Sequence, residues 1–457
     1  MKADIKLPSH VEAICKNLTT AGFEVAVVGG AVRDLLRGET VTDWDLTTSA
    51  TPAEIQKVFK NSFYNNSFGT VGIKTGENIV EVTTYRTDKS YSDNRHPDEV
   101  VWGKSLEEDL KRRDFTVNAM ALAYQVSGTR YQVELVDPLG GQEDLKNKQI
   151  RTVGNPDQRF GEDALRLIRA IRFATTLSFD LEDETKKSLA KNCKLIRKIS
   201  GERVREELFK IVNSKEPDRG FLIAHETGIL AEILPELDVC FEVPQKSPKR
   251  HHIYDVGMHC VMSLKYCPSG DTITRLATLL HDIGKAKVAK TIDGVRTFYN
   301  HEVVGGRQVK NIADRLHLSH EQKEKLYRLV RWHQFSVSED QTDSAIRRFI
   351  KHVGLECVED MMDLRVGDRL GGGLQQPESW RLKLFRQRIK EVLKKPFTVA
   401  DLKVNGNDVM KILEIKPGPK IGDVLNKLFE EVTGDSKLNN REHLIAQLEK
   451  LKDQVTS

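Results

Sequence analysis

Two glycines, Gly29 and Gly30, close the apolar run Glu24–Val28, and the residues after them, Ala31 to Arg37, have helical character. Backbone amides at such a strand-to-helix turn can face a phosphate. Arg33, with Asp34 beside it on the first helical turn, would add a guanidinium to the same anion site. Thirteen residues beyond Gly30 comes Asp43-Trp44-Asp45. Read as a strand, i and i+2 share a face, so both carboxylates point the same way. Two such groups repel unless a cation lies between them, and hard oxygen ligands suit Mg²⁺. Combined with the glycine turn, Asp43 and Asp45 point to two-metal phosphoryl or nucleotidyl transfer, and Glu81, in the strand-like run NIVEVTTYR, offers a third carboxylate.

A third group lies in Glu162–Phe173, where Leu165, Ile168 and Phe173 alternate with Arg166, Arg169 and Arg172. Threefold spacing sets the arginines along one stripe of a helix, with Asp163 one turn before Arg166. Cytosine and adenine both present an exocyclic amine beside a ring-nitrogen acceptor. A carboxylate accepts from that amine and a guanidinium donates to that nitrogen, so Asp163 with Arg166 could select C and A without a template. On an isolated helix the same stripe would be a solvated charged face.

The fourth group is rich in histidine: nine of the 13 histidines fall between His251 and His352. His259 lies on an expected helix, His281 and Asp282 end the apolar helix ATLLHDIGK, His301 opens HEVVGGR, His333 follows RLVRW, and Asp368 sits in DLRVGDRL. Imidazole and carboxylate ligands without cysteine suit Mn, Fe, Co, Ni, Zn or Mg. His317, His320 and His352 are read as ordinary structural or surface residues.

These side chains need elements to hold them. Up to about residue 150, apolar runs such as EVAVVGG, TVGIKT and NIVEVTTYR alternate with helical patterns at 10–19 and 52–60, which predicts an α/β unit. Beyond Gly154 the apolar residues recur at i, i+3 and i+4, which predicts helices to the end of the chain. Pro- and Gly-rich stretches at 235–252 and 370–380 mark boundaries. Four segments follow: 1–150, 151–240, 241–375 and 376–457. In the last, residues 376–396 carry seven Lys or Arg and two Glu, with Leu382, Phe385, Ile389 and Leu393 at helical spacing, a basic amphipathic helix suited to phosphates.

The 457 residues suffice for about three domains of roughly 150 residues. The composition, 39% hydrophobic and 30% charged, excludes wholesale disorder, and no run of about 20 apolar residues supports a membrane or secretory reading. Six scattered cysteines without a CxxC pair suit reduced thiols in a cytoplasmic chain and do not suit cysteine-ligated zinc. The net charge of +4 conceals basic segments, since residues 186–210 hold nine basic and three acidic side chains.

Gly-Gly-Ala-Val-Arg-Asp followed by Asp43-x-Asp45 resembles the signature of the DNA polymerase beta-like nucleotidyltransferases. More specifically, it resembles the bacterial class II tRNA nucleotidyltransferase and poly(A) polymerase family. The likeness continues through EEDLKRRDFTVNAMA (Glu107 to Ala121), DPLGGQEDL (Asp137 to Leu145), GEDALRLIRAIRFA (Gly161 to Ala174) and Gly201 to Val212. It implies a polymerase beta-like α/β head, then an all-α neck, HD domain and tail. It also implies that Arg112, Arg113 and Asp114 bind ribose and triphosphate, that Asp163 and Arg166 choose the base, and that Arg169 and Arg172 help hold the triphosphate or the base pocket. Tyr91 to Val101, with Asp93, Arg95 and Pro97, is similar to the family's flexible loop, whose retention leans towards full CCA addition. His259, His281, Asp282 and Asp368 resemble the HD phosphohydrolase superfamily, with His301 and His333 matching the extra ligands of its two-metal members and Lys285 a phosphate contact.

The expectation is therefore an enzyme that adds C, C and A from CTP and ATP to the tRNA 3′ end, using Mg²⁺, with a metal-dependent phosphohydrolase site attached. By resemblance the tail, 376–457, grips tRNA. Poly(A) polymerase, A-only or CC-only addition share nearly every motif and stay open. A reading of another class, an HD phosphohydrolase acting on RNA ends or nucleotides, is opposed by the intact Asp43-x-Asp45 pair.

Overall fold

The computed structural model describes residues 5–64, 69–76, 78–89, 99–102, 105–127, 130–245, 254–339, 341–393, 399–434 and 436–455; Asp93, Arg95 and Pro97 lie outside the described residues. The first part is α/β, as its alternating patterns predict. Its strands are β1 (Val25–Val28), β2 (Asp45–Thr48), β3 (Ser62–Tyr64), β4 (Thr70–Thr75), β5 (Asn78–Thr84), β6 (Arg86–Lys89), β7 (Glu99–Trp102), β8 (Ala121–Ser127) and β9 (Arg130–Val136). Seven of them form one sheet in the order β3-β4-β5-β2-β1-β8-β9, while β6 and β7 make a separate ribbon. Within the large sheet only β2 and β5 run parallel.

The sheet is fixed by burial of β1 on both faces. Val25 and Val27 pack with Ile14 and Leu18 of the helix Ser9–Thr20, while Ala26 and Val28 pack with Leu110 and Ala121. Each fully buried valine contributes about 1.5–3 kcal/mol relative to exposure, so the strand that carries the glycine turn is held where it is. The helix Pro52–Val58 starts on a capping box, with the Thr51 hydroxyl accepting from the Glu54 amide and the Glu54 carboxylate accepting from the Thr51 amide.

Beyond Gly154 the described elements are helices, apart from the strands of two small pairings. Gln149–Ile150 runs parallel to Asp180–Leu181, and Lys290–Ile292 pairs with Val295–Thr297 as a hairpin. One continuous hydrophobic cluster runs from Phe115 through the helices of 165–212, 256–280 and 358–371 to Val392. The basic helix observed at Trp380–Leu393, grouped with the tail on its sequence pattern, thus inserts Leu382, Phe385, Ile389 and Val392 into this large core. A separate cluster, Leu402 to Leu448, holds the remaining helices.

Candidate functional site

Val28, the last residue of β1, lies opposite Asp45, and Glu81 of β5 lies beside Asp45 across the parallel pair. The expectation that Asp43 and Asp45 share a strand needs correction. β2 begins at Asp45, opposite Val28, the last residue of β1 before the chain turns at Gly29. Asp43 is exposed just ahead of the strand, within electrostatic reach of Asp45. Burial, foremost, pushes the Asp45 carboxyl up to about 6; the charge of Asp43 adds to this, Arg113 opposes it and Glu81 adds again. Asp43 just ahead of β2 and Glu81 midway along β5 thus both repel Asp45, and the three carboxylates form a donor set that a hard divalent cation would relieve.

Gly29 has φ +73°, and a Cβ there would come within 3.1 Å of the Arg113 Nη1. The positive φ favours glycine here, and the absent Cβ leaves room for the Arg113 guanidinium. Arg33 faces this turn, but its guanidinium is held by Asp34 at 2.8–2.9 Å and donates to the Asn118 Oδ1 at 2.7 Å.

The Arg112–Asp114 run leaves the short helix Leu106–Lys111. Both arginines are anchored by Asp109, which is fully buried: Arg112 Nε and Nη2 donate to Oδ1 at 2.9 and 2.6 Å, and Arg113 Nη2 donates to Oδ2 at 3.2 Å. Asp114 accepts from Arg169 Nε and Nη2 at 2.9 and 2.5 Å and from the Phe115 amide at 2.9 Å. Burial would raise the Asp114 carboxyl, but Arg169 overrides it and holds the group down at about 2.

The single helix expected over Glu162–Phe173 is broken at its start. Asp163 is extended, at φ −138° and ψ 106°, between the helices Pro156–Glu162 and Leu165–Leu177. It belongs to no helical stripe, because its Oδ1 accepts from the Leu165 amide at 3.1 Å and caps the second helix. Its Oδ2 accepts from Arg203 Nη2 at 3.3 Å. Arg166, nearly buried, donates through Nη1 to the Arg159 carbonyl and the Glu162 carboxylate and through Nη2 to the Arg112 carbonyl.

Arg112, Arg113, Asp114, Asp163, Arg166, Arg169 and Arg203 line one cleft of about 290 Å³. Arg113 joins this cleft to the carboxylate end, since it also faces Gly29 and acts on Asp45. Arg172 does not line the cleft: it pairs with the buried Glu207 at 2.5 Å and lies 3.7 Å over the Phe173 ring. Burial, only partly offset by Glu207, lowers its guanidinium to about 10. The sequence reading overlooked Asp109, Arg203 and Glu207. Asp109 had a legible signal, lying three and four residues before the two arginines on a helix, whereas Arg203 and Glu207 meet their partners only across the fold.

The histidine group also converges. His259 lies in the helix Val256–Lys265, His281 caps the C-terminus of Thr272–Leu280 with Asp282 next, His301 opens His301–Arg315, His333 caps His320–Trp332, and Asp368 lies in Val358–Gly371. The helices bearing His259 and Asp368 meet closely at Gly367 and Gly371; a Cβ on Gly367 would come within 2.6 Å of the Ser263 carbonyl oxygen. The Nε2 atoms of His259 and His281 are 3.2 Å apart, and each lies 3.2–3.3 Å from Asp282 Oδ2 and 3.3–3.7 Å from Asp368 Oδ1. On the other side of Asp282, Oδ1 is 3.2 Å from His301 Nε2 and 3.6 Å from His333 Nε2, which are 3.3 Å from each other.

Nδ1 of His281, His301 and His333 each lies 2.8 Å from a backbone carbonyl, of Thr278, Phe298 and Val330. That bond fixes the proton on Nδ1 and turns the Nε2 lone pair inward. Ligands about 2.0–2.1 Å from a tetrahedral ion are separated by roughly 3.3 Å. The spacing of these atoms therefore fits divalent-ion ligands on both sides of Asp282. Lys285, buried, donates to Asp282 Oδ2 at 2.5 Å and to Gln245 Oε1 at 2.8 Å.

Models of protein families match three parts of the chain: the poly A polymerase head domain over residues 25–151, an RNA- and SrmB-binding site of polymerase A over 178–241, and a tRNA nucleotidyltransferase domain 2 over 304–448. The chain is 34% identical over 429 residues to the CCA-adding enzyme of Lactobacillus helveticus, covering 93% of each. It is 44% identical over 207 residues to the CCA-adding enzyme of Listeria monocytogenes, spanning 45% of this chain and 51% of that one. Its fold matches the crystal structure of the Bacillus stearothermophilus CCA-adding enzyme in complex with CTP, with TM-score 0.71, 25% identity and coverage of 98% and 99%. No helix among the described residues is long and apolar enough to cross a membrane.

Proposed function

The chain belongs to the CCA-adding enzymes, and from that premise we propose how its residues divide the work of adding C, C and A to the tRNA 3′ end from CTP and ATP. Asp43 and Asp45, with Glu81 as third carboxylate, would hold Mg²⁺, which supplies the charge that draws the 3′ hydroxyl and the triphosphate together. Gly29 and Gly30 leave room for the triphosphate beside the turn, with Arg33 adding charge there. Arg112 and Arg113, clamped from behind by Asp109, present their outer faces to ribose and phosphates. Asp114 holds Arg169 against the cleft, and Arg172 supports the wall through Glu207 and Phe173.

Base selection rests on Asp163 and Arg166. Each oxygen of Asp163 has one internal donor, so a lone pair on each stays available for an exocyclic amine. Arg166 is immobilised by two carbonyls and a carboxylate, so its remaining donors keep a fixed direction. Rigid donors and acceptors favour C and A over U and G by hydrogen bonding alone.

The observation that carries this reading is Arg113, which touches the glycine turn, acts on Asp45 and lines the Asp163–Arg166 cleft. The test uses tRNAs ending before CCA, after C and after CC, with labelled CTP and ATP singly and together. Product lengths separate CCA addition from A-only, CC-only or poly(A) addition. Asp43→Ala is expected to abolish CMP incorporation; undiminished incorporation would refute the assignment.

A second activity is favoured by the inward-facing Nε2 atoms around Asp282. His259, His281, Asp282 and Asp368 would hold one divalent ion, and Asp282, His301 and His333 another, drawn from Mn, Co, Ni, Fe, Zn or Mg. Such ions supply an activated water for phosphate ester hydrolysis, with Lys285 holding Asp282 in place. Protein purified without chelator is expected to retain metal and to hydrolyse a phosphomonoester or cyclic phosphodiester when Mn²⁺, Co²⁺ or Ni²⁺ is added. No retained metal and no turnover with any of the three would refute it.

A further inference from the structure

We infer that Asp109 is a positioning residue for the incoming nucleotide, setting the orientation of both arginines of the Arg112–Asp114 run at once. This rests on the proposal that Arg112 and Arg113 seat the nucleotide. Asp109 is fully buried, so it cannot touch a ligand in the cleft, yet each of its carboxylate oxygens takes a different arginine: Oδ1 receives Nε and Nη2 of Arg112, and Oδ2 receives Nη2 of Arg113. The two arginine side chains are only 16% and 19% exposed, and both line the cleft. Their inner edges are bound to Asp109 and their outer edges face the place where a nucleotide would lie.

The arrangement has two consequences. Adjacent guanidiniums repel, and left to themselves they would spread their charge over many rotamers. One carboxylate between them offsets the repulsion and freezes both at the cleft wall before a ligand arrives, so ordering is not charged against binding. Second, the clamp aims Arg113 towards Gly29, where a Cβ would lie only 3.1 Å from its Nη1. Asp109 thereby fixes a cation that joins the carboxylate end to the cleft. Its place three and four residues before the arginines, in the helix Leu106–Lys111 and just past its end, makes the clamp local and rigid.

An amide cannot do this. In Asp109→Asn one oxygen can still accept from one arginine, but the NH₂ group faces the other as a second donor. Full-length Asp109→Asn is therefore expected to raise KM for CTP, on tRNA lacking CCA, and for ATP, on tRNA ending in CC, by about 10- to 100-fold. KM for tRNA should stay within about twofold of the parent. Combining Asp109→Asn with Arg112→Ala and Arg113→Ala should be no worse than the two arginine substitutions together, because the clamp then has nothing to hold.

Nucleotide KM values within about twofold of the parent, or full additivity with the arginine variants, would overturn the inference even if melting temperature fell. Where Asp109→Asn fails to fold, Asp109→Glu replaces it: the charge is kept but displaced by one methylene. Elevated nucleotide KM with normal tRNA KM would support the inference, and unchanged KM would overturn it. If Arg112→Ala with Arg113→Ala leaves nucleotide KM untouched, the seating of the nucleotide by those arginines fails first, and the inference falls with it.

Discussion

In the proposed reading, the single side chain of Asp163 serves fold and chemistry together. One oxygen caps the helix Leu165–Leu177 and the other is held by Arg203, so the carboxylate reaches the cleft already oriented. Asp163→Ala should then do two things. Loss of the cap costs about 1 kcal/mol of stability, and loss of the acceptor removes the preference for an exocyclic amine. The ratio of kcat/KM for CTP over UTP is expected to fall by about 10- to 100-fold, measured on tRNA lacking CCA. Arg203→Ala should lower the ratio by less, since it frees Asp163 without deleting it. An unchanged ratio in Asp163→Ala would remove that residue from base selection.

At the scale of elements, one ion pair ties the helix Leu165–Leu177 to the head and another ties it to the helix Gly201–Val212. Asp114 receives Arg169, and Glu207 receives Arg172. Asp114 sits at about 2 in the folded protein against about 3.9 when unfolded. A depressed carboxyl stabilises the folded state above its unfolded value, and that contribution is lost as pH falls from about 4 to about 2. It is on the order of 2–3 kcal/mol. Asp114→Asn should therefore be less stable at pH 7 and show a flatter fall of unfolding free energy across pH 4 to 2, followed by urea melts. Parallel curves for parent and variant would mean that Arg169 does not hold this carboxylate.

For the whole molecule, packing groups the helices differently from charge. Residues 186–210 are strongly basic, yet Lys186, Lys191, Arg197 and Arg203 lie against carboxylates outside that segment, at Glu226, Asp157, Glu232 and Asp163, which offset part of its charge. Arg381, Arg386 and Arg388 of the helix Trp380–Leu393 are paired as well, and its apolar side enters the large core. Ending the chain at residue 398 should leave a folded, metal-retaining protein with weakened tRNA binding. Ending it at 375 should give insoluble protein, because Leu382, Phe385, Ile389 and Val392 lose their place in the core and a single Phe→Ala there costs about 3–5 kcal/mol. Solubility and circular dichroism of both truncations check this. The two candidate sites should also separate: His301→Ala is expected to lose bound metal, by elemental analysis, while CMP incorporation stays within about twofold.

Much of the proposed chemistry is legible in the chain because it is carried by short-range order. The glycine turn, Asp43-x-Asp45, the Arg-Arg-Asp run and the spaced histidines and aspartates are set by residue type and spacing, and local periodicity separates an α/β head from a helical remainder. Tertiary structure alone brought Glu81 beside Asp45, through a parallel pairing that no local pattern specifies. It set Arg203 on Asp163 and Glu207 on Arg172. It also broke the expected helix at Asp163 and moved the helix Trp380–Leu393 into the large core. The division has a physical cause. Helical and strand periods follow from the backbone within a few residues, whereas strand order and ion pairing depend on which surfaces bury one another. That choice is made by the whole apolar core, which also sets cations such as Arg169 and Arg172 against carboxylates distant in the sequence.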